Sequence, residues 1–418
     1  MSEVKSSIEK VNGFIEKVNG FKVVGVHAGL KKEGKLDFAL IVSETPATVA
    51  GVFTTNQVKA APVLVDMERL AKKQTGYRAV AINTGCANAC TGQQGIDNAL
   101  ETARYVAEKI GCAEDEVLVL STGVIGTQLM MEKICSGVDL ASTALGDDWS
   151  TAAQAIMTTD TRPKTASITV TKADGGHYTI AGISKGAGMI APNMATMLGV
   201  IVTDAVLSPE KASTALKTAS EGSYNRIVID GDMSTNDTVL LLANGQSGVE
   251  MTSPEDEKQF QIALNKVCVD LAKAIVRDGE GVTKFITITV HGAPDNESAR
   301  KIANTIATSP LVKTAFYGND ANWGRIIAAA GRSGVALDPN KLTLWISPSE
   351  QVTDLSNDSL MLVSMGTPTN YNEARATEII SAPSVVVLLM CGLGDGWATV
   401  WTCDLSHDYV SINGSYRS

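Results

Sequence analysis

Thr196 stands between two unlike segments. Before it runs the glycine-rich stretch Lys185-Gly186-Ala187-Gly188-Met189-Ile190-Ala191-Pro192-Asn193-Met194-Ala195, and after it the apolar run Met197-Leu198-Gly199-Val200-Ile201-Val202. A threonine hydroxyl is a weak nucleophile until a base is held beside it. Cutting the chain before Thr196 would supply that base, since the new α-amino group lies next to the hydroxyl and titrates near pH ~8. Glycine freedom in the preceding loop would let the Ala195–Thr196 carbonyl bend toward attack. The competing reading is a plain loop entering a buried strand whose first residue happens to be threonine, and the local pattern alone favours it.

Other segments carry chemistry-bearing residues. Ser121-Thr122-Gly123-Val124-Ile125-Gly126 follows the apolar run Val117 to Leu120. A Thr-Gly turn can offer a hydroxyl and a free N–H in one concave spot, as a tetrahedral oxyanion requires. Read alone, an ordinary β-turn explains it better. Most lysines are solvated, but Lys185 in a glycine-rich, weakly charged loop is suited to hold a carboxylate. Thr159, within Met157-Thr158-Thr159-Asp160-Thr161, adds a hydroxyl. Arg277-Asp278-Gly279-Glu280-Gly281-Val282-Thr283-Lys284 packs charge between glycines. Such runs are ordinarily solvated, yet a glutamate held there could meet a substrate ammonium or tune the Thr196 amine. The tail from Val410 through Asn413 to Ser418 would ordinarily be frayed. Three strings dense in small polar residues, Asn83 to Ala89, Gly231 to Asp237 and Asn319 to Arg325, suit tight turns around a pocket, with no individual roles assigned.

The string from Lys185 to Leu198 resembles, over fourteen consecutive positions, the self-cleavage motif of the ornithine acetyltransferase family of arginine biosynthesis. The resemblance recurs in the three polar strings, in Arg277 to Lys284, where Val282 replaces the usual alanine, and in the tail, where Gly414 and Ser415 depart from the commoner residues. It implies an α/β fold of layered mixed sheets covered by helices, a self-processing N-terminal-threonine acyltransferase with two interlocked domains. Cleavage would fall between Ala195 and Thr196. Thr122 and Gly123 would form the oxyanion hole. Thr159, Lys185, Thr196, Glu280, Asn413 and Ser418 would bind substrate, the tail returning to the active site. The implied reaction is ping-pong transfer of acetyl from N2-acetyl-L-ornithine to L-glutamate through acetyl-Thr196, with no metal or organic cofactor and with acetyl-CoA as a second donor in bifunctional members. The partners would be these small molecules and the two cleaved fragments, paired into a heterotetramer. Two rivals stand beside it: an N-terminal-threonine amidohydrolase or aminopeptidase, in which water resolves the acyl-enzyme, and a non-catalytic small-molecule binding protein whose loop stays intact.

Composition sets bounds. The chain has 418 residues and is 44% hydrophobic, enough for two or three domains with a substantial core. A net charge of −10 argues against nucleic acid and anionic membranes, which need basic surfaces. Seven scattered cysteines read as reduced thiols of a cytosolic or organelle interior. Cys86 and Cys90 lack a second pair to complete a zinc set, and His27, His177, His291 and His407 lie far apart in sequence. The longest apolar run, Val385 to Cys391, is too short to span a bilayer and reads as a buried central strand. Acidic residues near the N-terminus argue against a leader peptide, so the expected compartment is cytoplasmic, with an organelle matrix the alternative if a leader was trimmed. Residues 8–14 repeat identically at 15–21, too short a repeat for a solenoid.

The elements that must position these residues alternate between strand and helix. Ala99 to Gly111 reads as a helix stopped by glycine, Asp148 to Thr158 as another, and Ser208-Pro209 as the cap and first turn of a third. Ser167 to Thr171 and Tyr178 to Ile183 flank Asp174-Gly175-Gly176 as a hairpin that feeds the Lys185 loop. The longest helix opens at Ser253-Pro254 and presents Phe260, Leu264, Val267, Leu271 and Ile275 on one face. Strands are expected at 286–290, 342–347 and 384–391, a helix at 294–308, and a turn between strands at Gly392-Leu393-Gly394-Asp395-Gly396, which lacks the spacing of a dinucleotide loop. A change of pattern near residue 284 divides a catalytic domain, 1–284, from a C-terminal α/β domain, 285–418.

Overall fold

The computed structural model describes residues 7–10, 17–32, 34–191, 197–352 and 358–415, with backbone only at 7–10. These residues gather into two compact units. The first is drawn from Met1–Met189, Asn193–Asn225 and Asp232–Ile275, the second from Ile190–Pro192, Arg226–Gly231 and Val276–Ser418.

The first unit is built on nine strands in one mixed sheet. In chain order they are β1 (Ser7–Lys10), β2 (Phe21–Val26), β3 (Phe38–Phe53), β4 (Tyr77–Asn83), β5 (Val117–Ser121), β6 (Lys164–Thr171), β7 (His177–Lys185), β8 (Leu198–Thr203) and β9 (Thr238–Ala243). Across the sheet they run β1-β6-β7-β8-β9-β3-β4-β5, with β2 beside β3. The expected hairpin is present: Thr171 faces His177 across the Asp174-Gly175-Gly176 turn, and Gly175 adopts φ +89°. Every residue of β8 is buried, and β8 pairs parallel with β9 on one side and antiparallel with β7 on the other. Apolar runs of this kind are what an internal strand covered on both faces requires.

The sequence pattern predicts no strand over β3, whose Ser43-Glu44-Thr45-Pro46 interrupts the apolar run. The ladder to β4 lapses between Val42 and Ala47, so Pro46 withholds no bond from it. Beyond that irregularity the strand changes neighbours: Phe38–Val42 pairs with β2 and β4, whereas Thr48–Phe53 pairs with β9.

Helices pack against this sheet, and their ends follow the local chemistry. The helix Gly92–Ile110 stops at Gly111, which takes the left-handed conformation at φ +73°. The helix Pro209–Gly222 starts at Ser208, whose side chain accepts a bond from the Lys211 N–H. The helix Trp149–Ala155 is shorter than the sequence suggests. Asp148 is its cap, and the chain leaves the helix before Met157 to form the loop that carries Thr159. The longest helix, Pro254–Val276, buries all five residues of its expected face. The duplicated heptad meets two fates. In the first copy Ile8 to Lys10 pairs with β6, while the second turns at Gly20 (φ +72°) and enters β2.

The second unit holds a six-stranded sheet of β10 (Phe285–Ala293), β11 (Thr343–Ser347), β12 (Leu360–Ser364), β13 (Thr367–Pro368), β14 (Ser384–Met390) and β15 (Gly396–Cys403), in the order β13-β12-β11-β14-β10-β15. The run at Val385 is central, between β11 and β10. The helix Asn296–Ala307 is capped by Asp295 and shares one apolar core with this sheet. The glycines at 392–396 form the connection from β14 to β15, and a side chain at Gly396 would stand 2.2 Å from the Asp295 carbonyl carbon. Among the described residues no helix is long and apolar enough to cross a membrane.

Candidate active site

In the first unit the ends of β5, β7 and β8 bring the expected residues together. Thr122 directly follows β5, and its N–H is taken by the Asn83 carbonyl at 3.1 Å. Gly123 adopts φ +133°, and a Cβ there would lie 2.4 Å from the Gly85 carbonyl carbon. Only glycine fits so close an approach. Among the described residues no turn or loop carbonyl takes the Gly123 N–H. The Lys185 ammonium donates to Thr122 Oγ1 at 3.3 Å. A hydroxyl that accepts from an ammonium keeps its own proton to donate. Thr122 and Gly123 can therefore present two donors to a developing oxyanion.

The polar strings at 83–89 and 231–237, left without roles in the sequence analysis, hold this corner in place. Asn83 Oδ1 accepts from Ser121 Oγ at 2.6 Å, and Asn83 Nδ2 donates to the Cys86 carbonyl at 3.0 Å. Asn236 Nδ2 donates to the carbonyls of Ala87 and Ser121 at 2.7 and 2.8 Å. One buried amide thus ties both strings to the end of β5.

Lys185 is buried at the end of β7 and is paired across the ladder with Leu198, the first residue of β8. A buried ammonium needs a counter-charge. Asp160, to which no motif assigns a role, supplies it. Its Oδ1 accepts from Lys164 Nζ at 2.6 Å and from the Gly186 N–H at 2.7 Å, and its Oδ2 accepts from the Thr158 N–H at 2.9 Å. Burial works to raise the Asp160 carboxyl. The charges of Lys185 and Lys164, helped by the Gly186 N–H, outweigh it and hold the group well below the usual carboxylate range. Thr159 is half-buried between Thr158 and Asp160 on this pinned loop. Lys31 fastens the loop from the other side, donating to the carbonyls of Met157 and Leu36 at 2.6 and 2.9 Å. Burial lowers the Lys31 ammonium to about 8, against the pull of Asp37 and Asp160.

Asp237, at the entry to β9, is fully buried, and its Oδ1 accepts from the Met197 N–H at 2.8 Å. Burial pushes this carboxyl well up. The Met197 N–H, the Lys185 charge and the Ser234 N–H pull the other way without overcoming it. Ala195 and Thr196, the proposed cleavage pair, lie outside the described residues, as does Ser418.

In the second unit Glu280 and Asn413 meet. Glu280 is buried, and its Oε2 accepts from Asn413 Nδ2 at 2.7 Å. Asp404 binds the N–H groups of Thr283 and Lys284, each at 2.9 Å, and Ser406 Oγ donates to the Gly281 carbonyl at 2.6 Å. Gly281 is confined by the same contact: at φ +68° its missing Cβ would lie 2.5 Å from Ser406 Oγ. Within the described residues the tail ends in a helix, His407–Gly414, capped by Ser406. No described group of histidine, cysteine and carboxylate side chains is arranged to hold a metal ion.

Known proteins are similar to this chain over nearly its whole length. The ArgJ family profile matches residues 22–418. The arginine biosynthesis bifunctional protein ArgJ of Geobacter sulfurreducens is 49% identical over 402 residues, covering 95% of this chain and 99% of that protein. The mitochondrial ArgJ protein of Neurospora crassa is 47% identical over 414 residues, covering 95% of this chain and 88% of that one. A crystal structure of ArgJ from Bacillus halodurans is similar over 51% of this chain and 96% of its own, with 39% identity and a TM-score of 0.47. Matched over nearly its whole length, this chain belongs to the ArgJ family.

Proposed function

We infer that this chain is an acetyltransferase of arginine biosynthesis, a glutamate N-acetyltransferase that first cuts itself between Ala195 and Thr196. The Thr196 hydroxyl attacks the Ala195 carbonyl, the acyl group moves from nitrogen to oxygen and so frees the Thr196 amine, and water then hydrolyses the ester, releasing the Ala195 carboxylate and restoring the hydroxyl. In the mature enzyme that amine takes the hydroxyl proton as Thr196 Oγ attacks the acetyl carbonyl of N2-acetyl-L-ornithine. Thr122 Oγ and the Gly123 N–H donate to the oxyanion. The intermediate collapses, the proton passes to the departing α-amine, and ornithine leaves an acetyl ester on Thr196. The α-amine of L-glutamate then attacks that ester, and N-acetyl-L-glutamate departs.

Lys185 is assigned to the substrate carboxylate and Glu280 to a substrate ammonium, with Thr159, Asn413 and Ser418 as further substrate contacts. The observation that supports this reading most is the meeting of Thr122, Gly123 and Lys185 beside Leu198, two residues beyond Thr196. The functional division into a catalytic part, 1–284, and a C-terminal part, 285–418, belongs to the same proposal. So do a heterotetramer of cleaved fragments, a cytoplasmic location, independence from cofactors and use of acetyl-CoA as a second donor.

Deacetylation of N2-acetylornithine with and without glutamate tests the reaction. Ornithine release that needs glutamate and yields equal N-acetylglutamate is expected. Release at the same rate without glutamate would make the enzyme an amidohydrolase. Formation of N-acetylglutamate from acetyl-CoA and glutamate alone tests the second donor.

A further inference from the structure

We propose that Tyr409 is a positioning residue for the substrate-ammonium contact: its hydroxyl, held by Asp230, fixes the tail helix that lays Asn413 against Glu280, and so sets the preference for acyl donors with a charged side-chain amine. This rests on the reading of Glu280 as the contact for a substrate ammonium. In N2-acetylornithine the α-nitrogen is acylated, so the side-chain amine is the one left to carry charge.

The helix His407–Gly414 is not fixed by burial, because none of its residues is buried. At 8 residues it is also too short to be stable by itself. Point contacts must therefore orient it. Two of them hold its start: Ser406 Oγ donates to the Gly281 carbonyl at 2.6 Å, and the His407 ring meets Tyr317 edge-on with centroids 5.6 Å apart. A third lies further along, where the Tyr409 hydroxyl donates to Asp230 Oδ2 at 3.2 Å. Contacts at the start leave a helix free to turn about its own axis, and the Tyr409 bond removes that freedom. Asp230 is a firm anchor. Its Oδ1 accepts from the Ile190 N–H at 2.9 Å, and the N–H groups of Ile229 and Gly231 donate to the Ile190 carbonyl at 2.9 and 3.3 Å. Ile190 itself is 0% exposed.

The helix bears directly on Glu280. Gly281, the next residue, lies so close that a Cβ on it would stand 2.6 Å from the Tyr409 nitrogen. One turn beyond Tyr409 stands Asn413, whose Nδ2 donates to the Tyr409 carbonyl at 3.0 Å and to Glu280 Oε2 at 2.7 Å. Both amide hydrogens are thus committed, and the group left to meet a ligand is the Oδ1 acceptor. Glu280 is buried, and among the described residues no cationic side chain is paired with it. A buried carboxylate without a counter-charge is costly. Carboxylate and amide oxygen offer acceptors only, which suits an ammonium and disfavours an uncharged alkyl chain. Turning the helix would withdraw Asn413 from Glu280 and weaken that choice. Thr122 and Gly123 belong to the other unit, so the loss falls on donor selection and not on the oxyanion donors.

The test is the ratio of kcat/KM for N2-acetyl-L-ornithine to that for N2-acetyl-L-norvaline, which has the same carbon chain without the amine. Wild type, Glu280→Gln and Tyr409→Phe would be compared, each checked for cleavage by intact mass and for folding by thermal midpoint. Y409F removes one hydroxyl and should lower the ratio about tenfold, chiefly by raising KM for N2-acetylornithine, and E280Q should lower it as well. Y409F with the wild-type ratio would overturn the proposal, as would equal losses on both substrates, which mark a purely structural role. If Y409F does not accumulate as folded, cut protein, D230A, which breaks the same bond, is measured in its place with the same fall in ratio required. A wild type inactive on N2-acetylornithine, or E280Q with the wild-type ratio, would instead remove the ammonium reading itself, and this proposal with it.

Discussion

Asp160 and Asp237 are both buried in the first unit, near the two sides of the start of β8, yet their environments drive them in opposite directions. Asp160 faces Lys164 directly and lies in the field of Lys185, and the two cations hold it ionised. Asp237 accepts the Met197 N–H, and this bond, the Lys185 charge and the Ser234 N–H together fall short of its burial, so its neutral form is favoured. Burial alone therefore does not set the state of a carboxyl. The partners brought by the neighbouring strands and loops decide it. One corner is a fixed arrangement of charge around the lysine assigned to the substrate. The other is an uncharged corner that holds the Met197 N–H at the entry to β8.

The comparison breaks most readily at Asp160. Asp160→Asn leaves two buried ammonium groups without their counter-ion, and chemical denaturation should show a loss of ~3–5 kcal/mol. Asp237→Asn keeps the Met197 bond and should fall within ~1 kcal/mol of wild type. A reversed ranking would show that the two corners have been misread. Gly123→Ala comes next. Its Cβ would collide with the Gly85 backbone and displace the N–H, and transfer should slow by about 10²–10³-fold in kcat with KM little changed. A rise in KM alone would move Gly123 from oxyanion stabilisation to substrate binding.

Stability against pH sharpens the contrast. The folded pKa of Asp160 lies below its unfolded value of ~3.9, so its contribution is fully present above pH ~4 and is lost as pH falls through the folded value. Asp237 is raised, so its effect runs the other way, and stability declines as pH rises above ~4 toward its folded pKa. Urea midpoints across pH should lose the acid-side dependence in D160N and the opposite slope in D237N. The smallest effect belongs to Lys31. Its folded pKa of about 8 lies below the unfolded one, so the unfolded chain binds more protons and stability rises with pH between about 8 and ~10.4. Lys31→Met should abolish that rise and shift stability at neutral pH by only ~1 kcal/mol, because a lost buried charge offsets two lost bonds.

The contrast was only partly legible in the sequence. Ser208-Pro209, Gly111 and the Asp174 turn announced their elements, because each acts through its own backbone within a few residues. Thr122, Gly123, Lys185 and Glu280 were picked out by motif, and the structure brings the first three together in one unit and joins Glu280 to Asn413 in the other. Asp160 and Asp237 were quoted in strings without roles. Their partners Lys185, Gly186 and Met197 lie 25, 26 and 40 positions away, and only the register of β7, β8 and β9 brings them near. Strand β3 was missed for a related reason. Its polar centre falls where the ladder to β4 lapses, a feature set by changing neighbours and not by local preference.

Everything rests on Thr196 becoming a chain terminus. The most direct measurement is the denatured intact mass of wild type beside Thr196→Ala. Wild type should give two fragments, one ending at Ala195 and one beginning at Thr196, with masses summing to the full chain plus one water, and T196A should give one uncut chain. A wild type that stays whole, or a T196A cut at the same bond, would contradict the threonine nucleophile.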